Sequence, residues 1–288
     1  MKWIAVGNIE VGRIVESDGP FMSVFDFFPD ATMAALEPHR SWLTPNALTS
    51  DTHMLNMPIQ SYIVKTPTST ILIDSCVGNH KTVDWYPAWH NKSDTQYFDG
   101  FKKLGLHPDQ IDVVLCTHLH VDHSGWNTQL VDGRWVPTFK NAKYILSRTE
   151  CKNAEMLSVK YGDPTFSENV LPVIEAGQAM LVDDDYEIDE AVRLEPTPGH
   201  TPGHCAIHLS NRGHNAVVTG DLIHSPIQCQ FPEWNFKFDS DKELAAKTRL
   251  GFLKKYSDCN TQVLTCHFPQ PSTGRIITSK DAFHFEYT

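Results

Sequence analysis

The 288-residue chain has no run approaching the ~20 apolar residues that a membrane span needs, so no membrane partner is expected. Its first residues, "MKWIAVGNIEVGRIVESDG", break their apolar positions with Asn8, Glu10 and Arg13, so they lack the continuous core of a signal peptide. Basic residues are also short, with 24 Lys and Arg against 35 Asp and Glu, a formal net charge of -11 and no basic block. A surface that tracks a phosphate backbone is thereby excluded, and with it nucleic acid as a partner. The seven cysteines contain no C-x-x-C pair, which argues for reduced thiols over a disulfide framework or a thiolate zinc site. A cytoplasmic protein is the expectation. Internal repeats, low-complexity stretches and Gly/Ser-rich linkers are missing as well. A single domain over 1–288 is therefore expected, with 21–57, rich in proline and irregular in pattern, as an N-terminal arm or flap.

What is present is an alternation of short Val- and Ile-rich runs with turns, the pattern of a mixed α/β fold. Strands are predicted in "SYIVKT", "TILIDS", "IDVVLCTH", "AKYILS", "AVRLEPT", "CAIHLS", "NAVVTGD" and "TQVLTCH". "TQYFDGFKKLG" places Tyr97, Phe101 and Leu104 at helical spacing before Gly105, a C-cap. "SDKELAAKTRLGFLKKY" opens with Ser240 and Glu243 in capping-box spacing and predicts a second helix.

Chemistry concentrates in "LCTHLHVDHSGWN", which sets His118, His120, Asp122 and His123 within six residues at the end of an apolar run. Residues two apart on an extended chain share a side, so His118 and His120 can reach one ion, while Asp122 and His123 lie where the chain turns toward a second. A single histidine is usually a structural or surface residue. Four ligand-type side chains at one strand end have no packing rationale, because each is costly to bury. Imidazole and carboxylate donors suit zinc, ahead of iron, manganese or cobalt. Three later stretches repeat the form of a β-like run followed by a ligand-type residue: His200 in "LEPTPGHTPGH", Asp221 in "AVVTGDLIHS" and His267 in "QVLTCHFP". Together these groups suffice for two divalent ions.

The H-x-H-x-D-H cluster, with Asp74 closing "TILIDS", "PGHTPGH", "TGD" and a late histidine after a strand, resembles the metallo-β-lactamase superfamily in content and order. The resemblance implies an αββα sandwich with two sheets flanked by helices. It implies His118, His120 and His200 on one metal, Asp122, His123 and His267 on the other, Asp221 as the bridge, and Asp74 as an orienting group that is not itself a ligand.

Within the superfamily, "TGDLIHSPIQ" followed by "FD" and a helix with "TR" is similar to the branch of N-acyl homoserine lactonases and methyl parathion hydrolase. The lactonases commonly carry Tyr three residues after the bridging Asp, where this chain has His224. That departure tilts the expectation toward aryl esters, aryl lactones or phosphotriesters. His224 is a candidate catalytic hydrogen-bond donor or proton relay, with a packing role as the alternative. The expected reaction is opening of a lactone or an aryl or carboxylic ester by a hydroxide shared between the two ions, with Asp122 carrying the proton to the leaving group. A phosphotriesterase and a glyoxalase II-like thioester hydrolase remain alternatives. Trp85, Tyr86 and Trp89, close together after Asp74, are candidates for an apolar substrate pocket or for core packing. Phe21, Phe25, Phe27 and Phe28 point to a flap or to a contact in a homodimer. Cys76, Cys116, Cys205 and Cys266 read as small buried groups.

Overall fold

The computed structural model describes residues 3–288 and divides into two compact units, one of Met1–Ser17 with Ile59–Tyr186 and one of Asp18–Pro58 with Glu187–Thr288.

The first unit is built on a seven-stranded sheet in the order Ile4–Val6, Ile9–Ser17, Ile59–Lys65, Thr70–Ile73, Val113–Leu115, Lys143–Ser147 and Ala179–Val182. The first four strands pair antiparallel, and the last four run parallel. Ile59–Lys65 is buried along nearly its whole length, as a central strand covered on both faces should be. Gln96–Lys103 packs on this sheet through Tyr97, Gly100 and Phe101, and Gly105 follows it at φ 70°, the left-handed stop expected from the sequence. A second helix, Arg148–Tyr161, is capped by Ser147, whose hydroxyl accepts from the Glu150 N–H.

The second unit holds a six-stranded sheet in the order Val192–Pro196, Cys205–Asn211, His214–Val218, Gln262–Leu264, Thr273–Ser279 and Ala282–Tyr287. Only His214–Val218 and Gln262–Leu264 are parallel neighbours, and the helix Lys242–Tyr256 crosses between them. Its N-cap is Asp241, whose carboxylate accepts from the Leu244 N–H, rather than the Ser240 expected from the sequence. All eight predicted strands are present. The N-terminal strands, Ala179–Val182, and the hairpins Pro20–Ser23/Met54–Asn56, Thr128–Val131/Arg134–Pro137 and Thr273–Ser279/Ala282–Tyr287 are additions.

Segment 18–58 carries three one-turn helices and buries Val24, Phe27, Phe28, Leu36, Leu43, Leu48 and Leu55 in one cluster with Ile227, Trp234 and Phe236. Among the described residues, no helix is long and apolar enough to cross a membrane, and no disulfide forms.

Candidate metal centre

In the first unit, every ligand-type residue follows a parallel strand. Asp74 ends Thr70–Ile73, and His118 lies three residues beyond Val113–Leu115, at the carboxyl edge where open α/β sheets place their sites. Asp74 adopts φ 57°, a conformation unusual for a residue with a side chain, which its many hydrogen bonds hold in place. Its Oδ1 accepts from the Thr117 N–H at 2.7 Å, and its Oδ2 from the Thr117 hydroxyl at 2.9 Å and from Nδ1 of His123 at 2.8 Å.

These bonds fix tautomers. A carboxylate oxygen only accepts, so His123 carries a proton on Nδ1, and in the neutral imidazole Nε2, 3.5 Å from Oδ2 of Asp122, keeps its lone pair. The Thr117 hydroxyl, committed to Asp74, accepts from Nδ1 of His118 at 3.1 Å. Nε2 of His118 is then also a lone pair, directed at Nδ1 of His120, 3.1 Å away. The turn bearing these candidate ligands docks on the Asp74 loop through Ser75 N–H to His123 O and Gly125 N–H to Cys76 O, each 2.8 Å. A Cβ on Gly125 would stand 1.7 Å from the Val77 carbonyl oxygen, so only glycine permits this approach.

Glu16, 1% exposed, braces the same loop. It accepts from the Val77 N–H at 2.8 Å, Gly78 N–H at 3.3 Å, Lys92 Nζ at 2.9 Å and the Trp126 indole N–H at 2.6 Å. Burial pushes the thiols of Cys76 and Cys116 upward, so both are protonated core groups as their strand-end positions suggest.

In the second unit, Asp221 occupies a one-turn helix after His214–Val218, and His267 follows Gln262–Leu264. Nε2 of His267 lies 2.8 Å from Oδ1 of Asp221, and Nε2 of His200 lies 3.3 Å from Oδ2. The opposite ring nitrogens are committed: Nδ1 of His200 bonds Oδ1 of Asp239 at 2.8 Å, and Nδ1 of His267 bonds the Pro58 carbonyl at 3.0 Å. Both partners are pure acceptors, so each Nδ1 is a donor, and in the neutral imidazole each Nε2 then presents a lone pair to a carboxylate oxygen. Lone pairs facing lone pairs repel unless a cation stands between them. The residues therefore fit divalent metal, with neutral imidazoles and a carboxylate as the donors zinc prefers.

His224 is 1% exposed, with Nε2 3.1 Å from Oδ2 of Asp221 and Nδ1 without a hydrogen-bond partner. Its ring lies 5.2 Å from that of Phe27 and 4.9 Å from that of Phe236.

Three supporting residues of this half were not singled out from the sequence. His204, the second histidine of "PGHTPGH", accepts the Asp221 N–H on Nε2 at 2.9 Å. Asp239 orients His200, and burial opposes its charge, yet the hydrogen bond from His200, with the charge of Arg249, holds its carboxyl below the usual range. Arg249 bonds Oδ2 of Asp239 at 3.3 Å. The signals were there: the repeated "PGH", the "FD" and the "TR" each mark one of the three.

The candidate pocket rings come together in the first unit, with Trp85 to Trp89 at 5.5 Å and Tyr86 to Trp89 at 4.9 Å. Trp89 is buried and Trp85 half exposed. Phe27 and Phe28 are core residues of the second unit, and Phe21 and Phe25 pack against them.

The sequence profile of the metallo-β-lactamase superfamily matches residues 56–255. The chain belongs to this superfamily. Membership makes it a metal-dependent hydrolase with the α/β fold anticipated from its motifs. An N-acyl homoserine lactonase of Bacillus cereus is 26% identical over 227 residues, covering 73% of this chain and 79% of the relative. A second such lactonase, AiiB of Agrobacterium fabrum, is 27% identical over 97 residues, covering 30% and 34%. Among solved structures, the hydrolase AbOPH superposes with a TM-score of 0.82 at 21% identity over 99% of this chain and 96% of that one. AidC, a dizinc quorum-quenching lactonase, superposes with a TM-score of 0.81 at 22% identity over 100% and 97%.

Proposed function

We propose that this superfamily member is a dinuclear zinc hydrolase that opens a lactone or an aryl or carboxylic ester. The observation that carries the reading is Asp221, each of whose carboxylate oxygens faces the Nε2 of an imidazole whose Nδ1 is held by another acceptor. His118, His120 and His200 would hold one ion, Asp122, His123 and His267 the other, with Asp221 shared. The lactonase relatives and the dizinc neighbour support both the substrate class and the metal count.

Two bound divalent ions would supply Lewis acidity and make a water-derived nucleophile available near neutral pH. The protein's own residues then do the rest. Asp74, Asp239 and the Pro58 carbonyl hold three ligand imidazoles in the donor tautomer. Asp122, whose side chain is 14% exposed, is positioned at the solvent margin to pass a proton to the leaving oxygen. His224 supplies a hydrogen bond to oxygen that gains charge as the acyl carbon is attacked. Trp85 and Tyr86, packed on the buried Trp89, offer apolar surface to the acyl or aryl part. A second reading, a phosphotriesterase, is favoured by His224 in place of the lactonases' Tyr, since a histidine donor serves a phosphoryl oxygen as well as a carbonyl.

The test is metal analysis joined to a substrate panel of lactones, aryl esters, phosphotriesters and a hydroxyacylglutathione. Two ions per chain are expected, with lactone or aryl ester turnover that chelation removes and zinc restores. A stoichiometry well below two, or turnover confined to the thioester, would overturn the reading.

A further inference from the structure

Of the "FD" and "TR" signals, the metal reading uses only Asp239, and Arg249 has no part in it. Asp239 and Arg249 are 10 residues apart in sequence and form a buried pair at 3.3 Å, with Arg249 only 1% exposed. A buried guanidinium is retained only where its fork of donors is filled, and here it is. Nε donates to the Leu222 carbonyl at 2.9 Å, one terminal nitrogen to the Pro232 and Trp234 carbonyls at 2.7 and 3.2 Å and to Asn235 Oδ1 at 3.3 Å, and the other to Asp239. Leu222 is the residue after Asp221. Asp239 Oδ1 takes the Nδ1 proton of His200 at 2.8 Å, and its Oδ2 also accepts the Phe236 N–H at 3.0 Å.

The neighbouring Thr248 works on the same segment. Its hydroxyl donates to the Pro198 carbonyl at 2.8 Å, while Asp241 N–H and Ser240 N–H donate to the Gly199 and His200 carbonyls, each at 3.0 Å. Gly199 sits at φ 135°, and a Cβ there would meet the Ala245 backbone at 2.4 Å, so the Pro198–His200 turn lies directly on the helix that carries Arg249.

We infer that Arg249 is a positioning residue that fixes the ring of His200 through Asp239 and the turn that carries Asp221 through the Leu222 carbonyl. The inference rests on the metal-centre reading, because its consequence is how those two ligands meet an ion. Lysine cannot substitute, since one ammonium cannot reach a carboxylate and three carbonyls lying in different directions. Asparagine at 239 keeps an oxygen for His200 but loses the charge that faces Arg249.

The experiment is zinc titration of the metal-free protein against a chromophoric chelator, with the visible spectrum of the cobalt-loaded protein as a second readout. It compares wild type with Arg249→Lys and Asp239→Asn, each checked for native circular dichroism. In both variants the ion held by His200 is expected to bind about 10–100-fold more weakly, the other, which shares only Asp221, is expected to weaken by less, and the cobalt bands of the His200 site shift. Wild-type affinity for both ions, or equal weakening of both with an unchanged cobalt spectrum, would overturn the role of Arg249. If Arg249→Lys does not fold, Asp239→Asn decides alone. A wild type that takes a single ion, which the variants then bind about 10–100-fold more weakly, would sink the dinuclear reading and still support the positioning role.

Discussion

Nδ1 of His123 stands 2.8 Å from Oδ2 of Asp74, on a carboxylate that also receives the N–H and the hydroxyl of Thr117. Three donors converge on two acceptor oxygens, so the group works only as an anion. Asp74→Asn would keep one acceptor and turn the other oxygen into a donor that faces donors. The expected result is a loss of about 1–3 kcal/mol in stability from the unsatisfied buried groups and a 10–100-fold loss of zinc affinity. Thermal denaturation and chelator competition measure the two separately.

His224 tests how the reaction is assisted. His224→Phe keeps a ring against Phe27 and Phe236 but deletes the nitrogen that lies 3.1 Å from Asp221. Metal content should hold, with kcat down by roughly 100-fold and KM changed by less than about threefold, as for loss of an acid–base or oxyanion contact. An unchanged kcat would make His224 a packing residue.

Phe27 links segment 18–58 to the same region, stacked on Phe236 at 4.1 Å and edge-on to His224 at 5.2 Å. It is fully buried, and Phe27→Ala should cost about 3–5 kcal/mol in stability. Phe27→Leu, which refills much of the volume, should cost less than half of that. Denaturant midpoints for the two variants give the comparison, and equal midpoints for Ala and wild type would show that the segment contributes nothing to its unit.

Lys81 makes a pH-dependent prediction. It is 0% exposed, donates to Thr128 Oγ1 at 2.7 Å and lies 3.5 Å above the Trp135 ring. Burial holds its ammonium well below the usual lysine range, with the Glu168 charge opposing that shift. Between the lowered folded value and the normal unfolded one, the unfolded chain binds more protons, so stability rises with pH there. The slope is up to ~1.4 kcal/mol per pH unit and ends above the unfolded pKa of ~10.4. Urea denaturation of wild type and Lys81→Met from pH 7 to 10 should show the wild type gaining relative to the variant. A constant difference would mean that Lys81 keeps its proton in the folded state.

The sequence by itself determined the features that are local. A β-like run followed by H-x-H-x-D-H needs only the period of a strand and the turn after it to place His118 and His120 together; His200, Asp221 and His267 announced themselves by the same strand-end form, and Asp74 through the superfamily resemblance. Val- and Ile-rich runs gave all eight predicted strands because a strand buried on both faces writes its burial into consecutive residues. Segment 18–58 was not legible in this way, because its one-turn helices are too short for a helical period and are held by tertiary burial of Phe27, Phe28 and Leu55. The supports of the ligands were decided only in three dimensions. Nothing in the spacing of Asp239 to His200, 39 residues apart, or of Glu16 to Trp126, 110 apart, reveals that they touch. A carboxylate or a guanidinium reads as a surface charge in sequence, and only burial, which forces every charged donor and acceptor to find a partner, shows which ones hold the metal ligands in place.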